Sequence, residues 1–309
     1  MPQCLKCGAE LPVNEEGLAP VLCDRCAGVA TRRARVGLNT GTLRQFPATT
    51  ILTAINVIVF TVMVLASGSI FEFRGATLVI FGGNYGPWTL TGDYWRLVTA
   101  GFVHGGLLHI GFNMWCLWSL GQLSERLFGS WITFAVYILT GVSGALLSVS
   151  VHPAILEIGA SGAVFGIAGA ILSGIKFGNV SVSSWQKKQI MSSMIFFVIF
   201  NLAFGAAIPG IDNWCHLGGL VSGLIFGVPL ATASASGKKM FEWATIILAA
   251  LVLAGIGAQV VRSKQDVIRR MSAANQISQK GLQIAGNVLS SPYLARKYSS
   301  TDGNPSTLP

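Results

Sequence analysis

Residues 159–174 read GASGAVFGIAGAILSG. No charge interrupts the segment, and Gly162, Gly166, Ala170 and Gly174 recur every four residues, so one face of the predicted helix is nearly bare. A bare face lets a second backbone approach closely, which is how helices associate in lipid, where hydrophobic burial no longer drives them together. Residues 214–227, WCHLGGLVSGLIFG, supply a matching surface. There Gly219, Gly223 and Gly227 follow His216 at three, seven and eleven positions and fall on its face of a helix. If the two helices pack together, Ser161 and His216 meet near the same end of both.

Working outward, both stretches lie in windows without a charged residue. Seven such windows occur, at 45–71, 97–124, 127–156, 158–175, 189–211, 213–237 and 243–261. Each is near or above the roughly 18 residues that cross a bilayer. The window 75–92 is also uncharged, but Gly75, Gly82, Gly83, Gly86, Pro87 and Gly92 make it a long structured loop. The composition agrees. Charged residues make up 11% of the 309, against roughly 25% in a soluble domain, and 52% are hydrophobic with a mean hydropathy of +0.61. Soluble enzymes, secreted, disordered and collagen-like chains are excluded. The expected fold is an all-α polytopic membrane protein, with a six-helix core over 49–230 and an extra C-terminal transmembrane helix at 243–261.

The net charge of +9 is read as a topology signal and not as a nucleic-acid footprint. With a cytoplasmic N-terminus, the inner segments hold twelve Lys and Arg and the outer loops only Arg74 and Arg96. The polar tail 262–309, amphipathic at its start and disordered at its end by composition, then lies outside with seven more, against the positive-inside rule. The length and aliphatic character of 243–261 favour a true span nonetheless.

Residues 1–29 differ in kind. Cys4, Cys7, Cys23 and Cys26 form C-x2-C, fifteen residues, then C-x2-C, the spacing of a Cys4 zinc ribbon. Two disulfides are the alternative. No apolar leader precedes them, and the basic residues around them suit a reducing compartment, which favours thiolates on a structural zinc. A ribbon of this kind suits a protein partner or stability more than chemistry. The basic segment 30–48 reads as a linker near anionic headgroups.

Polar side chains inside spans are costly, so each is a functional candidate. His109 and Asn113 share a helix face, and His104 lies five residues earlier, either as a further donor or as a structural tie between loop and helix. Ser161 heads one glycine-faced helix and His216 the other. A serine hydroxyl becomes a useful nucleophile only with a base within about 3 Å to take its proton, and histidine suits that task. The spans contain no acidic third member, and Asp212, four positions before His216, is a weaker orienting candidate. A Ser–His dyad is therefore expected, with close helix packing orienting the imidazole in place of a carboxylate, and with His109, Asn113 and the Ser161 N–H available to an oxyanion, each donor typically worth about 3 kcal/mol in barrier. No role is assigned to Cys116 or Cys215.

Together these residues resemble the rhomboid family of intramembrane serine proteases. The resemblance covers roughly 50–230 and rests on Trp95-Arg96, H-x4-H-x3-N at 104–113, Glu125-Arg126, G-x-S-G at 159–162 and H-x2-G-x3-G from His216. It implies Ser161 as nucleophile, His216 as base and acid, and His109 with Asn113 at the oxyanion. It also implies cleavage of single-pass transmembrane proteins near the outer face of the bilayer, here taken as a bacterial cytoplasmic membrane. The loop at 68–94 would lie partly in the membrane, with Trp95-Arg96 anchoring its return. Where family members often carry a tyrosine that packs on the histidine, this chain has Phe165, which keeps the ring. Two other readings stand beside it: a catalytically inactive relative that binds and escorts membrane proteins, and a metalloprotease using His104, His109 and His216.

Overall fold

The computed structural model describes residues 3, 4, 7–11, 46–178, 182–208 and 210–289. Cys23 and Cys26, and the linker up to residue 45, lie outside the described residues. Cys4 and Cys7 lie within them, in a turn where Gly8 donates its N–H to the Cys4 carbonyl (2.9 Å).

Helix α1 (Pro47–Ser67) opens with proline at its first turn, where no N–H is needed, and ends at Gly68, whose φ of 69° is the left-handed cap glycine favours. Its free N-terminal N–H groups are satisfied from far away. The Glu125 carboxylate accepts from the Ala48 and Thr49 amides (3.2 and 2.7 Å) and from the Thr49 hydroxyl (2.6 Å). That explains the buried acid of the Glu125-Arg126 pair: it caps a helix and closes the bundle's first turn.

The segment after α1 is the structured loop expected from its glycines. It holds α2 (Gly75–Ile80), the two-residue strand β1 (Asn84–Tyr85), α3 (Gly86–Thr89) and α4 (Arg96–Thr99). Arg96, almost fully buried, ties it together. Its guanidinium donates to the Val79 and Gly83 carbonyls (2.6 and 3.2 Å), pairs with Asp93 (2.9 Å) and lies over the rings of Trp88 and Trp95. A 3-10 turn, Ala100–Phe102, leads to α5 (Leu107–Phe128).

Gly129, at φ 89°, alone joins α5 to α6 (Ser130–Val151). Strand β2 (Leu156–Glu157) pairs antiparallel with β1, Asn84 opposite Glu157 and Tyr85 opposite Leu156. Then come α7 (Ser161–Phe177), α8 (Ser184–Ala207), α9 (Asn213–Ala235) and α10 (Lys239–Leu289). A reciprocal capping box between Ser183 and Gln186 starts α8, and Asp212 caps α9.

Among the described residues, five helices, namely α1, α6, α8, α9 and the first part of α10, are long and apolar enough to cross a membrane. The two glycine- and polar-interrupted helices α5 and α7 complete an all-α polytopic membrane fold. Helix α7 is its centre: thirteen of its seventeen residues are buried, among α5, α6 and α9. At 1.5 Å per residue it is about 25 Å long, shorter than the roughly 30 Å hydrocarbon layer. By contrast, α8 buries only Met194 and Gly205 and turns Trp185, Phe196, Ile199, Phe200 and Phe204 outward, as a lipid-facing helix does.

Two boundaries differ from the charge-free windows. The second window begins at 97, but α5 begins at Leu107, because 97–106 turns through α4 and a loop before the span. The last helix does not stop at 261. It continues to Leu289, since good helix formers follow and no proline intervenes, so the start of the polar tail is an extension of the seventh helix. That helix runs alongside α6, with Trp243 near Trp131 at one end and Val260 and Val261 against Leu90, Leu97 and Val149 at the other. The second end is also that of β1, β2 and Ser161.

Candidate active site

The turn into α7 sets the site. Gly159 has φ 110°, a conformation other residues rarely adopt, and a Cβ there would come within 2.7 Å of His109 Nε2. The chain can therefore place Ser161 at the first position of α7 with the His109 ring beside it. The first amides of α7 have no partners within the helix, so they and the helix dipole face the same space.

The glycine stripes then bring in His216. A Cβ on Gly219 would strike the Gly162 carbonyl, one on Gly223 the Gly166 carbonyl, and one on Gly227 would lie 2.6 Å from the Ala170 oxygen. Backbone contact between α7 and α9 follows from the sequence pattern, and it delivers His216 Nε2 to 2.9 Å from Ser161 Oγ. Phe165, one turn after the serine, stacks on the imidazole with centroids 4.4 Å apart and planes 11° from parallel.

The other imidazole nitrogen meets a residue that sequence reading overlooked. His216 Nδ1 is 3.1 Å from Asn213 Oδ1, and Asn213 Nδ2 donates to the Leu202 carbonyl (3.1 Å). A carbonyl only accepts, so it fixes which end of the amide faces it. The amide oxygen must then face His216, Nδ1 must carry the proton, and Nε2 is left as the acceptor for the serine O–H. This is the tautomer a general base needs. Gly205 of α8 makes the room, because a Cβ there would strike Asn213 Oδ1. The clue available in the sequence was the spacing: Asn213 lies one turn before His216.

Asp212, the weaker orienting candidate, is committed elsewhere. Its Oδ1 accepts from the Trp214 and Cys215 amides (2.9 and 3.2 Å) and caps α9, while Oδ2 is buried without a partner. The neutral Asn213 thus occupies the orienting position.

His109 Nδ1 accepts the Gly105 N–H (3.2 Å), which leaves Nε2–H directed towards Gly159. Asn113 spends one amide hydrogen on the His109 carbonyl (3.0 Å) and keeps the other. Both side chains therefore converge on the turn before Ser161. His104 is fully buried, with Nε2 accepting from the Ala160 N–H (3.4 Å) and Nδ1 on the Phe102 carbonyl (3.3 Å). It is the tie between loop and helix, not a free donor. His104 spends both ring nitrogens on the backbone, so the metalloprotease reading loses one of its three ligands. Among the described residues no three His, Cys, Asp or Glu side chains are grouped to hold a metal ion.

A membrane helix bundle with a serine hydroxyl hydrogen-bonded to an oriented histidine, beside converging N–H donors, has the parts of a hydrolase of acyl groups. Similarity to known proteins adds to this geometry. The Rhomboid domain family matches residues 91–233, so that part of the chain is a rhomboid-family domain. It is 30% identical over 230 residues to "Rhomboid protease GluP" of Bacillus subtilis (strain 168), covering 74% of this chain and 43% of that one. It is 36% identical over 155 residues to "RHOMBOID-like protein 4" of Arabidopsis thaliana, 50% of this chain and 39% of that. With "Rhomboid-like protease 5" of Toxoplasma gondii it shares 33% identity over 157 residues, 49% and 18% of the two chains. The chain spans less than half the length of each of these relatives.

Proposed function

We propose that this protein is an intramembrane serine endopeptidase that cleaves single-pass transmembrane proteins near the outer face of the bilayer. The observation that carries the reading is the 2.9 Å contact from His216 Nε2 to Ser161 Oγ, with the imidazole tautomer set by Asn213. As a substrate carbonyl approaches, Ser161 Oγ attacks its carbon and His216 Nε2 takes the hydroxyl proton. The oxygen becomes an oxyanion, received by His109 Nε2–H, the free hydrogen of Asn113 Nδ2 and the Ser161 amide. When the tetrahedral adduct collapses, the C–N bond breaks and His216 returns its proton to the leaving amine. Water, deprotonated by the same nitrogen, then releases the acyl group from Ser161.

The length of α7 supports cleavage within the membrane. A helix of about 25 Å that reaches the inner face places Ser161 several ångströms below the outer hydrocarbon boundary. The excess of Lys and Arg in the opposite loops supports a cytoplasmic N-terminus. We also assign Cys4, Cys7, Cys23 and Cys26 to a structural zinc, because two C-x2-C pairs fifteen residues apart have the spacing of a four-thiolate zinc site. The ribbon then serves contact with a protein partner or stability, and takes no part in the chemistry.

The test is cleavage of a transmembrane substrate by the purified protein in liposomes. Ser161→Ala should abolish cleavage with expression and zinc content unchanged, and a fluorophosphonate should label the wild type but not His216→Ala. Equal cleavage by wild type and Ser161→Ala would remove Ser161 as nucleophile.

A further inference from the structure

Glu157 is a buried acid that the reaction above does not use. It lies in β2, four residues before Ser161, 4% exposed and with no cation against it among the described residues. Its side chain is surrounded by donors. Asn84 Nδ2 donates to Oε2 (3.0 Å) and spends its other hydrogen on the Ala145 carbonyl of α6 (3.0 Å), while Thr89 donates to Asn84 Oδ1 (2.7 Å). From the other side the Cys215 thiol reaches Oε1 at 3.4 Å. Cys215 is wedged between helices: a Cβ on Gly162 would come within 2.6 Å of its Sγ, and one on Gly144 within 2.6 Å of its carbonyl oxygen. One carboxyl group therefore joins the outer loop, through Asn84, to the residue next to His216, which itself abuts the residue next to Ser161.

Resting on the serine-protease reading, we propose that Glu157 is a positioning residue, whose carboxylate holds the strand entering Ser161 and the first turn of α9 in register with the outer loop. Every identified partner donates to it, so the arrangement is complete only when the carboxyl is ionised. Protonation turns one acceptor oxygen into a donor that meets another donor. Burial opposes ionisation, and it outweighs the Asn84 and Cys215 hydrogen bonds, pushing the Glu157 carboxyl up to about 7, with Asp212 adding to the rise. The ionisable groups that face it are Cys215 and Asp212 of α9. Strand β1 and α3 present only Asn84 and Thr89, and α6 only the Ala145 carbonyl.

The experiment compares wild type, Glu157→Gln and Glu157→Leu, as full-length protein in liposomes, by kcat and KM for a transmembrane peptide substrate across pH. Leucine removes both acceptors, and the expected result is a kcat lower by about ten- to a hundredfold with KM little changed, since small displacements of reacting groups cost that much. Glutamine keeps one acceptor and mimics the protonated acid. It should restore most of the leucine loss and match wild type near about pH 6, where the acid is protonated. Wild type should exceed it several-fold near about pH 8.5, where the carboxylate is ionised. Coincident wild-type and glutamine profiles over that range, or a leucine variant with wild-type kcat, would overturn the proposal. Hydrogen exchange reports on it without any catalysis. Amides of 158–162 and 213–217 should exchange faster in Glu157→Gln than in wild type, and unchanged exchange would equally overturn it. A wild type that cleaves nothing while the exchange difference persists would refute the protease reading and leave the positioning role standing.

Discussion

Replacing Asn213 by alanine tests how much orientation the histidine needs. The substitution removes the acceptor for His216 Nδ1–H and the donor to the Leu202 carbonyl, and leaves the Phe165 stack and the α7–α9 glycine contacts in place. A neutral hydrogen bond contributes about 1 kcal/mol net, and an aromatic stack about as much again. The ring should therefore stay near its place but lose its preferred tautomer part of the time. At about 1.4 kcal/mol per tenfold, kcat should fall about five- to tenfold with KM unchanged, measured as initial rates of transmembrane peptide cleavage in liposomes. A carboxylate in a serine–histidine–aspartate arrangement behaves differently: its amide replacement costs about 10⁴ in kcat, because an amide N–H turned towards the ring fixes the wrong tautomer, which alanine does not do. Asn213 offers no charge. A loss beyond a thousandfold would show that it does more than orient, and an unchanged kcat would show that stacking alone holds the ring.

Other perturbations probe the frame. Gly219→Val drives a branched side chain into the Gly162 carbonyl, so α7 and α9 must part; cleavage should fall at least about a hundredfold and fluorophosphonate labelling slow with it. Glu125→Ala strips the α1 N-terminus of three acceptor contacts and should destabilise the fold by about 2–4 kcal/mol, read as a lower Tm in detergent, with Glu125→Gln recovering part of it. Arg96→Met removes the guanidinium that ties the outer loop, and limited proteolysis should then cut between 80 and 95 in intact liposomes, where wild type resists. Elemental analysis should find one zinc per chain, reduced on substituting Cys4 and Cys7 by serine, while strong chelation leaves cleavage intact.

Much of this architecture was legible in the sequence because lipid makes charge so informative. The seven uncharged windows correspond to seven helices, and the four-residue glycine repeats of α7 and α9 meet as backbone contacts that only glycine allows. Trp95-Arg96 and Glu125 are noticeable as motifs, but the partners of Arg96 are carbonyls 13 and 17 residues away and those of Glu125 are amides 76 and 77 residues away, which no local pattern encodes. The orienting residue is less legible. The sequence suggests helix packing, with Asp212 as a weaker candidate, yet a helix start needs a cap and Asp212 supplies it, so the side chain one residue on faces the imidazole. Glu157 was passed over because it lies between windows, where charge is ordinary. Only the pairing of β1 with β2 shows that it is buried.

The shortness of α7 ties the chemistry to the lipid as well as to the protein. Seventeen residues cannot span a typical hydrocarbon layer, so α7, enclosed by its neighbouring helices, leaves a shortfall above Ser161 within the bundle. On the proposed protease reading, that shortfall is where water would enter, and a substrate helix would have to bring its scissile bond down to the same level. On the same reading, acyl-chain length in the surrounding lipid would control which peptide bond is cut: thicker bilayers would raise the substrate relative to a fixed nucleophile and shift the cleavage point along its sequence.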